Sequence, residues 1–300
     1  MENKSQKEQK SRTGFAIHMT KTGICYGPGV PTPKTPKASE NTTSGEDIPA
    51  VPEELNVMLR KASAQLRDCD IIFAVFLVSL AAGYFVRMLL LVTLASLIAL
   101  FYYKTRKKIL LQYTIDQDRK RETDRILTPL LDIAHCAMTW EAPPEAPQKE
   151  EQRFGGEYDT RKRELCKVTT TIPYPFETDG KVITFDTRKA TIIFLPDAIY
   201  LMKGKKIQAL TYDDVQLSIR PVRYLEKEKP REDSKVLRKT WEHVDSSGNP
   251  DPGYKKNREI SLCEYGELTI SSEREGGPNT VILYSKYKKP TGFYLRDSHV

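Results

Sequence analysis

The most prominent hydrophobic pattern is a run over residues 71–103 in which Arg87 is the only charged side chain. At 1.5 Å per residue, a single helix of this length would measure about 50 Å, well beyond the roughly 30 Å of a bilayer core. It would also place Arg87 near the bilayer centre, at a high cost in free energy. Two helices joined by a turn over residues 83–87 avoid both problems. The pattern therefore predicts a two-helix transmembrane hairpin, with a single tilted span or a re-entrant loop as alternatives.

Basic residues follow this run directly and also precede it. Those that follow are Lys104, Arg106, Lys107 and Lys108. Because positive charge favours the cytoplasmic side, an even number of spans would put both termini in the cytoplasm. The same four cations would suit anionic lipid headgroups, although a topological anchor is the simpler interpretation. The sequence therefore predicts a protein of the bacterial inner membrane.

The segments before the hydrophobic run have three different patterns. Residues 14–27 alternate apolar and polar positions around a Thr-Lys-Thr-Gly turn, which predicts a β-hairpin. Residues 28–53 are rich in Pro, Thr and Ser and predict a disordered linker. Residues 54–70 place Leu55, Met58, Leu59 and Ala62 at helical spacing, which predicts an amphipathic helix leading into the membrane.

After residue 163 the hydrophobic period changes to two, which is typical of β-strands. The predicted strands cover residues 167–172, 181–185, 190–195, 198–203, 207–211, 215–219, 236–243, 259–263, 267–271 and 280–285. Tight turns are expected at Pro196-Asp197 and around Gly204. Many short strands in so short a segment predict a small barrel or a curved sheet that packs on itself.

Together these patterns predict a membrane-anchored α+β fold with a transmembrane hairpin and a C-terminal β-rich domain. The predicted segments are a β-hairpin element (1–27), a disordered linker (28–53), a juxtamembrane helix (54–70), the transmembrane hairpin (71–103), a cytoplasmic helical segment (104–140), a linker (141–162), the β-rich domain (163–288) and a flexible tail (289–300).

Charge and cysteine content narrow the class of protein. The chain of 300 residues has 47 Lys+Arg against 40 Asp+Glu and a net charge of +7, which favours acidic partners such as anionic lipid or nucleic acid. Nucleic acid is disfavoured because basic and aromatic residues do not interleave in a recognisable binding motif. The five cysteines are scattered and odd in number, which favours a reducing compartment over a disulfide scaffold.

Motifs for known chemistry are missing from the sequence. His18, His135, His243 and His299 lie far apart, and no Cys-x-x-Cys pair occurs, so no metal site is predicted. No phosphate-binding loop, dinucleotide fingerprint or Gly-x-Ser-x-Gly elbow occurs either. We therefore expect no cofactor, and an enzymatic activity is not indicated.

One polar cluster in the C-terminal domain is a candidate binding site. Its candidate residues are Trp241, Asp251, Asn257, Arg258, Tyr265 and Glu267. Asn, Arg and aromatic side chains together can hold an anionic or peptide ligand, and a buried network that supports strands is the alternative. Asp251 lies between two prolines and has turn chemistry as its simpler interpretation. The turn with Lys203, Lys205 and Lys206 would suit lipid headgroups, or it is simply solvated.

Several different short motifs are distributed along the chain, and together they carry a family resemblance. They are Tyr113 and Asp116 of a Tyr-x-x-Asp helix start, Phe194-Leu195-Pro196-Asp197, Tyr212-Asp213, Thr240-Trp241, Asn257-Arg258 and Tyr265-Gly266-Glu267. Together they resemble an uncharacterised family of bacterial membrane proteins. The resemblance implies a short N-terminal β unit, a two-span hairpin and a C-terminal β-rich domain, and it implies no activity. The chain departs from the family pattern at Gly253-Tyr254, where an Arg-Phe pair is typical.

Residues 199–215 are similar in pattern to an edge of pleckstrin-homology-like (PH-like) domains, in which a strand, a basic turn and a second strand recur. PH-like modules bind phosphoinositides or proteins, so this similarity concerns the fold more than the function.

Three functional hypotheses follow from the sequence. The first is a membrane-tethered scaffold or sensor whose β-rich domain binds a protein or an anionic lipid headgroup, either alone or as a homo-oligomer. The second is a membrane-anchored hydrolase that uses Asp251, Asn257, Arg258 and Glu267. The third is an oligomeric pore lined by Ser79, Thr93 and Ser96, which is disfavoured because the spans have no charge pathway except Arg87.

Overall fold

The computed structural model describes residues 13–20, 23–28, 51–83, 89–144, 158–245 and 249–290. The chain forms two compact units. The first comprises Met1–Thr123, Thr171–Thr184 and Ile193–Thr211, and the second comprises Asp124–Thr170, Phe185–Ile192 and Tyr212–Val300. Arg87 and the rest of its predicted turn after Gly83, most of the two predicted linkers and the end of the predicted tail lie outside the described residues.

The described residues contain three α-helices, one 3₁₀ helix and fifteen strands. The helices are α1 (Glu53–Gly83), α2 (Leu89–Arg106), α3 (Gln117–Ala134) and the 3₁₀ helix η1 (Tyr212–Asp214). The strands are β1 (Thr13–Thr20), β2 (Gly23–Pro28), β3 (Ile109–Ile115), β4 (Thr139–Ala142), β5 (Glu164–Leu165), β6 (Lys167–Thr169), β7 (Phe176–Thr178), β8 (Ile183–Asp186), β9 (Thr191–Phe194), β10 (Ile199–Lys203), β11 (Lys206–Leu210), β12 (Gln216–Glu226), β13 (Lys235–Trp241), β14 (Glu259–Ser271) and β15 (Asn279–Tyr284).

The first unit packs the N-terminal half of α1 against sheet strands. A four-stranded sheet has the order β2-β1-β3-β7, in which β1 is antiparallel to β2 and parallel to β3. Leu55, Met58, Leu59 and Ala62 recur at helical spacing and are buried in the same core as strand residues such as Leu111. This spacing fixes which face of α1 turns toward the sheet.

The hairpin of β10 and β11 also belongs to the first unit. The two strands pair antiparallel around a two-residue connection, and Gly204 at that turn has a φ of +58°, which a residue without a Cβ adopts readily. The Ile207 N–H donates to Ser63 Oγ at 3.3 Å, which ties β11 to α1. The hairpin therefore belongs to the core built on α1, whereas the strands from β12 onward belong to the second unit.

The predicted transmembrane hairpin is wrong. Among the described residues, no helix combines the length and the apolar character needed to cross a membrane. The physical reason is that only part of each helix is apolar. Charged residues occur in α1 up to Asp70, and Lys104 ends the apolar part of α2. Within the described parts of α1 and α2, the apolar segments measure about 20 Å each, against the roughly 30 Å of a bilayer core. The finding overturns the membrane-anchored fold class and the location in the bacterial inner membrane with cytoplasmic termini.

The second unit contains a sheet in the order β12-β14-β15-β4-β5, with β13 paired to the first half of β14. All its neighbouring strands are antiparallel. Asp159 forms a parallel bridge with Tyr224 of β12, at one edge of the sheet. Five residues later, Glu164 pairs with Glu141 of β4, at the other edge.

These two pairings require the sheet to curl. In a flat sheet they would be five strand spacings apart, about 24 Å, whereas the chain from residue 159 to 164 reaches at most about 17 Å. The segment over residues 158–165, which we call the closing segment, therefore joins the two edges. The sheet closes on itself, and side chains of the closing segment can enter its interior.

Gly266 in β14 has no room for a side chain. A Cβ at this position would lie 2.0 Å from Cζ of Tyr284, its cross-strand partner in β15. Tyr284 is buried, so its ring cannot move away into solvent. The glycine of the Tyr-Gly-Glu motif is thus required because the Tyr284 ring occupies the space that a Cβ would need.

We predict that Gly266→Ala destabilises the protein by at least about 2 kcal/mol, because a buried ring must be displaced. Urea-induced unfolding followed by circular dichroism measures this change. The matched control is Gly253→Ala, where the added Cβ would contact only the Asp251 side chain, at 3.1 Å. Equal stability of Gly266→Ala and the unsubstituted protein would contradict the packing described here.

Candidate functional site

The interior face of the curled sheet combines aromatic and charged side chains. Alternation along β14 directs Cys263, Tyr265 and Glu267 to one face. Tyr224 and Arg220 of β12 lie opposite Cys263 and Glu267 in the register. The aromatic side chains stack there. The ring centroid of Tyr265 lies 5.4 Å from that of Trp140 and 5.6 Å from that of Tyr224. A buried aromatic layer therefore surrounds the charged groups.

The first buried cation is Arg161, in the closing segment. Its Nε donates to Asp159 Oδ2 at 2.9 Å, and its Nη2 donates to Glu267. Its Nη1 donates to the Pro143 carbonyl at 3.1 Å. Both carboxyl groups are almost completely buried, so Arg161 forms ion pairs with two acids that are shielded from solvent. Arg220, whose side chain is 58% exposed, reaches the other oxygen of Glu267 from the surface.

The second buried cation is Arg163, two residues further along the closing segment. Its guanidinium carbon lies 3.8 Å from the ring centroid of Trp140 and 4.3 Å from that of Tyr224. It donates to Glu226, and the Tyr265 hydroxyl donates to the same carboxylate at 2.7 Å. Arg163 is thus held both by an ion pair and by aromatic faces.

We call this set of residues the arginine–carboxylate network: the charged residues Asp159, Arg161, Arg163, Arg220, Glu226 and Glu267, together with the aromatic residues Trp140, Tyr224 and Tyr265 that contact them. It joins three guanidinium groups to three carboxyl groups. Burial lowers the pKa of Arg161, but its hydrogen bonds to Asp159 and Glu267 outweigh burial and leave the pKa above its ordinary value. The same balance, with Glu226 as partner, raises the pKa of Arg163. Both arginines therefore stay charged at neutral pH.

The tyrosines of the network stay neutral. Burial, followed by the hydrogen bond to Glu226, raises the pKa of Tyr265 above its ordinary value. Burial also raises the pKa of Tyr224. With permanently charged arginines, neutral tyrosines and matched charges, the chemistry of the network favours a structural role: it holds the closing segment to β12 and β14.

The predicted site residues are divided between this network and the far end of β14. Tyr265 and Glu267 belong to the network. Asn257 lies before β14, where its side chain exchanges hydrogen bonds with the backbone of His243 at 3.0 and 2.5 Å. Arg258 is exposed, and its carbonyl accepts from the Glu242 N–H at 2.9 Å. At about 3.4 Å per residue, the start of β14 lies about 27 Å from Glu267. The structure therefore does not bring Asn257 and Arg258 together with Glu267.

The other two predicted residues have local roles. Asp251 Oδ1 accepts from the Gly253 N–H at 2.8 Å, which is turn chemistry. Trp241 ends β13 with 36% of its surface exposed. The hydrolase hypothesis therefore has no observation in its favour.

Three of the basic residues singled out from the sequence, Lys107, Lys108 and Lys205, have contacts with neighbouring side chains. Lys205 pairs with Asp70 at 2.6 Å, and Lys203 lies opposite Lys206 at the hairpin turn. Lys107 lies 4.1 Å from the ring centroid of Tyr103, and Lys108 lies 3.9 Å from Glu177. Lys104 is exposed, and the side chain of Arg106 lies outside the described residues.

Sequence reasoning missed most of the network, namely Trp140, Asp159, Arg161, Arg163, Arg220, Tyr224 and Glu226. One signal was available, because Asp159, Arg161 and Arg163 alternate with period two and so share a face if the segment is extended. Charged residues in the place of apolar ones concealed the sheet pairing of this segment.

No metal centre occurs among the described residues, and no related protein is identified. Within the described ranges, no group of three or more His, Cys, Asp or Glu residues could hold a metal ion. Comparison with family models, with curated proteins and with solved structures finds no match. The resemblance to bacterial membrane proteins therefore stays a prediction.

We predict that Glu267→Gln lowers the free energy of unfolding by about 3 kcal/mol, because it leaves Arg161 with an incompletely compensated buried charge. Urea-induced unfolding measures the loss. The matched control is Glu264→Gln in the same strand, which breaks only the exposed pair with Lys235 and should cost less than about 1 kcal/mol. Similar losses for both variants would contradict the role of the network.

Proposed function

We propose that this protein is a scaffold that self-associates through its two apolar helical segments. The proposal is supported by one observation: large apolar side chains are exposed along α1 from residue 71 and along α2 up to residue 102. They are Ile71, Phe73, Val75, Leu77, Val78, Leu80, Leu90, Leu91, Val92, Leu94, Leu97, Ile98, Phe101 and Tyr102. We call this surface the apolar helix pair.

The exposed area is large for a chain that stays alone. A large side chain covers about 150 Å² when fully buried, so these residues, roughly half exposed, present on the order of 1,000 Å². Single-chain proteins rarely leave more than a few hundred Å² of contiguous apolar surface uncovered. A stable interface of standard size needs about 800 Å² from each partner. The apolar helix pair thus offers enough area for a stable dimer.

The periodicity of the surface favours a helical partner. Leu91, Leu94, Ile98 and Phe101 follow one another at spacings of three and four residues, and they are between 55% and 71% exposed. This is the spacing at which apolar side chains of one helix interlock with those of another. A second helix, rather than a sheet or a loop, therefore fits this face of α2.

The chemistry of the pair favours a second copy of this chain. The described residues of the pair carry no Asp, Glu, Lys or Arg, so its surface has no charge pattern that would select a different partner. Two copies would bring four helices together, and a four-helix bundle buries apolar helix faces of this kind.

The polar residues between α1 and α2 form contacts within the apolar helix pair. Thr93 Oγ1 donates to Ser79 Oγ at 3.1 Å, and both residues are buried with Ser96. These contacts hold α1 against α2 and leave the apolar side chains on the outside.

We predict that the full-length chain is a dimer at micromolar concentration and that Leu91→Glu combined with Ile98→Glu converts it to a monomer. Burying a carboxylate in the apolar interface between two copies costs free energy, so the dissociation constant should rise by at least about a hundredfold. Sedimentation equilibrium of the unsubstituted and substituted chains measures the mass.

The matched control is Val57→Glu, which places a carboxylate at an exposed valine of α1 outside the apolar helix pair. This variant should keep the dimer mass. A monomeric unsubstituted chain, a dimer that persists in the double variant, or binding of single copies to detergent micelles would contradict self-association.

A further inference from the structure

Strand β13 of the second unit has an open edge. Among the strands that the structure describes, it pairs with β14 alone. All its residues except Thr240 are exposed. An edge strand of this kind presents a row of backbone N–H and C=O groups to which a further strand can pair.

The side chains along this edge leave positive charge uncompensated. The two acids of β14 that face β13 are already paired: Lys235 with Glu264 at 3.0 Å and Lys239 with Glu259 at 3.5 Å. Arg238 is exposed and has no ion pair with a described residue. Arg258 precedes Glu259, the partner of the last residue of β13, and it is also exposed without an ion pair to a described residue. The edge therefore favours an acidic partner.

A bulge in β13 places Arg238 and two apolar side chains on different faces. The register shifts between Val236 and Arg238, so that Val236 and Trp241 share one face with Lys239, which is paired with Glu259. Lys235 and Arg238 lie on the other face. Because side chains of an added strand alternate in the same way, a partner with alternating apolar and acidic residues matches both faces.

We propose that β13 binds an acidic peptide in extended conformation, which adds to the sheet as a further strand. Backbone hydrogen bonds to β13 supply the affinity, and contacts with Arg238 and Arg258 supply the preference for acidic sequences. A second copy of β13 does not fit, because it would place Lys235, Arg238 and Lys239 of two chains side by side.

The test uses the full-length chain and a capped peptide of four Val-Glu repeats. Trp241 reports binding directly, since the other tryptophan of the chain, Trp140, is buried. Addition of the peptide should shift the tryptophan emission to shorter wavelength, and Trp241→Phe should remove this shift. Affinity should fall as salt is added, because the charge pairs are exposed.

Two comparisons separate strand addition from general attraction of opposite charges. Arg238→Glu should raise the dissociation constant at least about tenfold, whereas Arg125→Glu on α3 makes the same charge change at another exposed position and should leave it unchanged. A Val-Glu peptide with alternate N-methylated amides should not bind, since it cannot complete the backbone ladder.

Four outcomes would overturn the proposal. They are absence of binding by the Val-Glu peptide, equal binding of the N-methylated peptide, equal binding of a Val-Lys peptide, and tighter binding of single-stranded oligothymidine. The last would indicate that the edge selects nucleic acid.

Discussion

The second unit depends on the burial of two positive charges. Arg161 and Arg163 come from the closing segment and lie inside a curled sheet, where a charged group is tolerated only with a matched partner. Their carboxylate partners come from the closing segment itself and from β12 and β14. The network thus specifies how the edges of the sheet meet, in addition to any stability that it contributes.

Local pattern predicted individual strands well where they are apolar. Predicted strands at residues 190–195 and 207–211 correspond closely to β9 (Thr191–Phe194) and β11 (Lys206–Leu210). Residues 259–263 and 267–271 were predicted as separate strands. They form one strand, β14, since Gly266 makes room for the Tyr284 ring. That contact joins distant parts of the sequence, so local pattern could not reveal it.

The larger errors have two physical causes. The transmembrane hairpin was inferred from a run of apolar residues, but each of the two helices that contain this run also has a charged part, and no described helix is long and apolar enough to cross a membrane. The arginine–carboxylate network was missed because its members come from stretches of sequence that meet only through sheet pairing, whereas Tyr265 and Glu267 were found because they share a short motif. The apolar helix pair and the edge of β13 are the two surfaces from which we propose that the protein assembles with itself and binds an extended partner.

The most direct test of the buried network is nuclear magnetic resonance of the arginine side chains. The Nε–H protons of Arg161 and Arg163 should exchange with water far more slowly than that of exposed Arg125, because they are buried among carboxylates and rings. Exchange of Arg161 and Arg163 as rapid as that of Arg125 would contradict the account, since it would place both guanidinium groups in solvent.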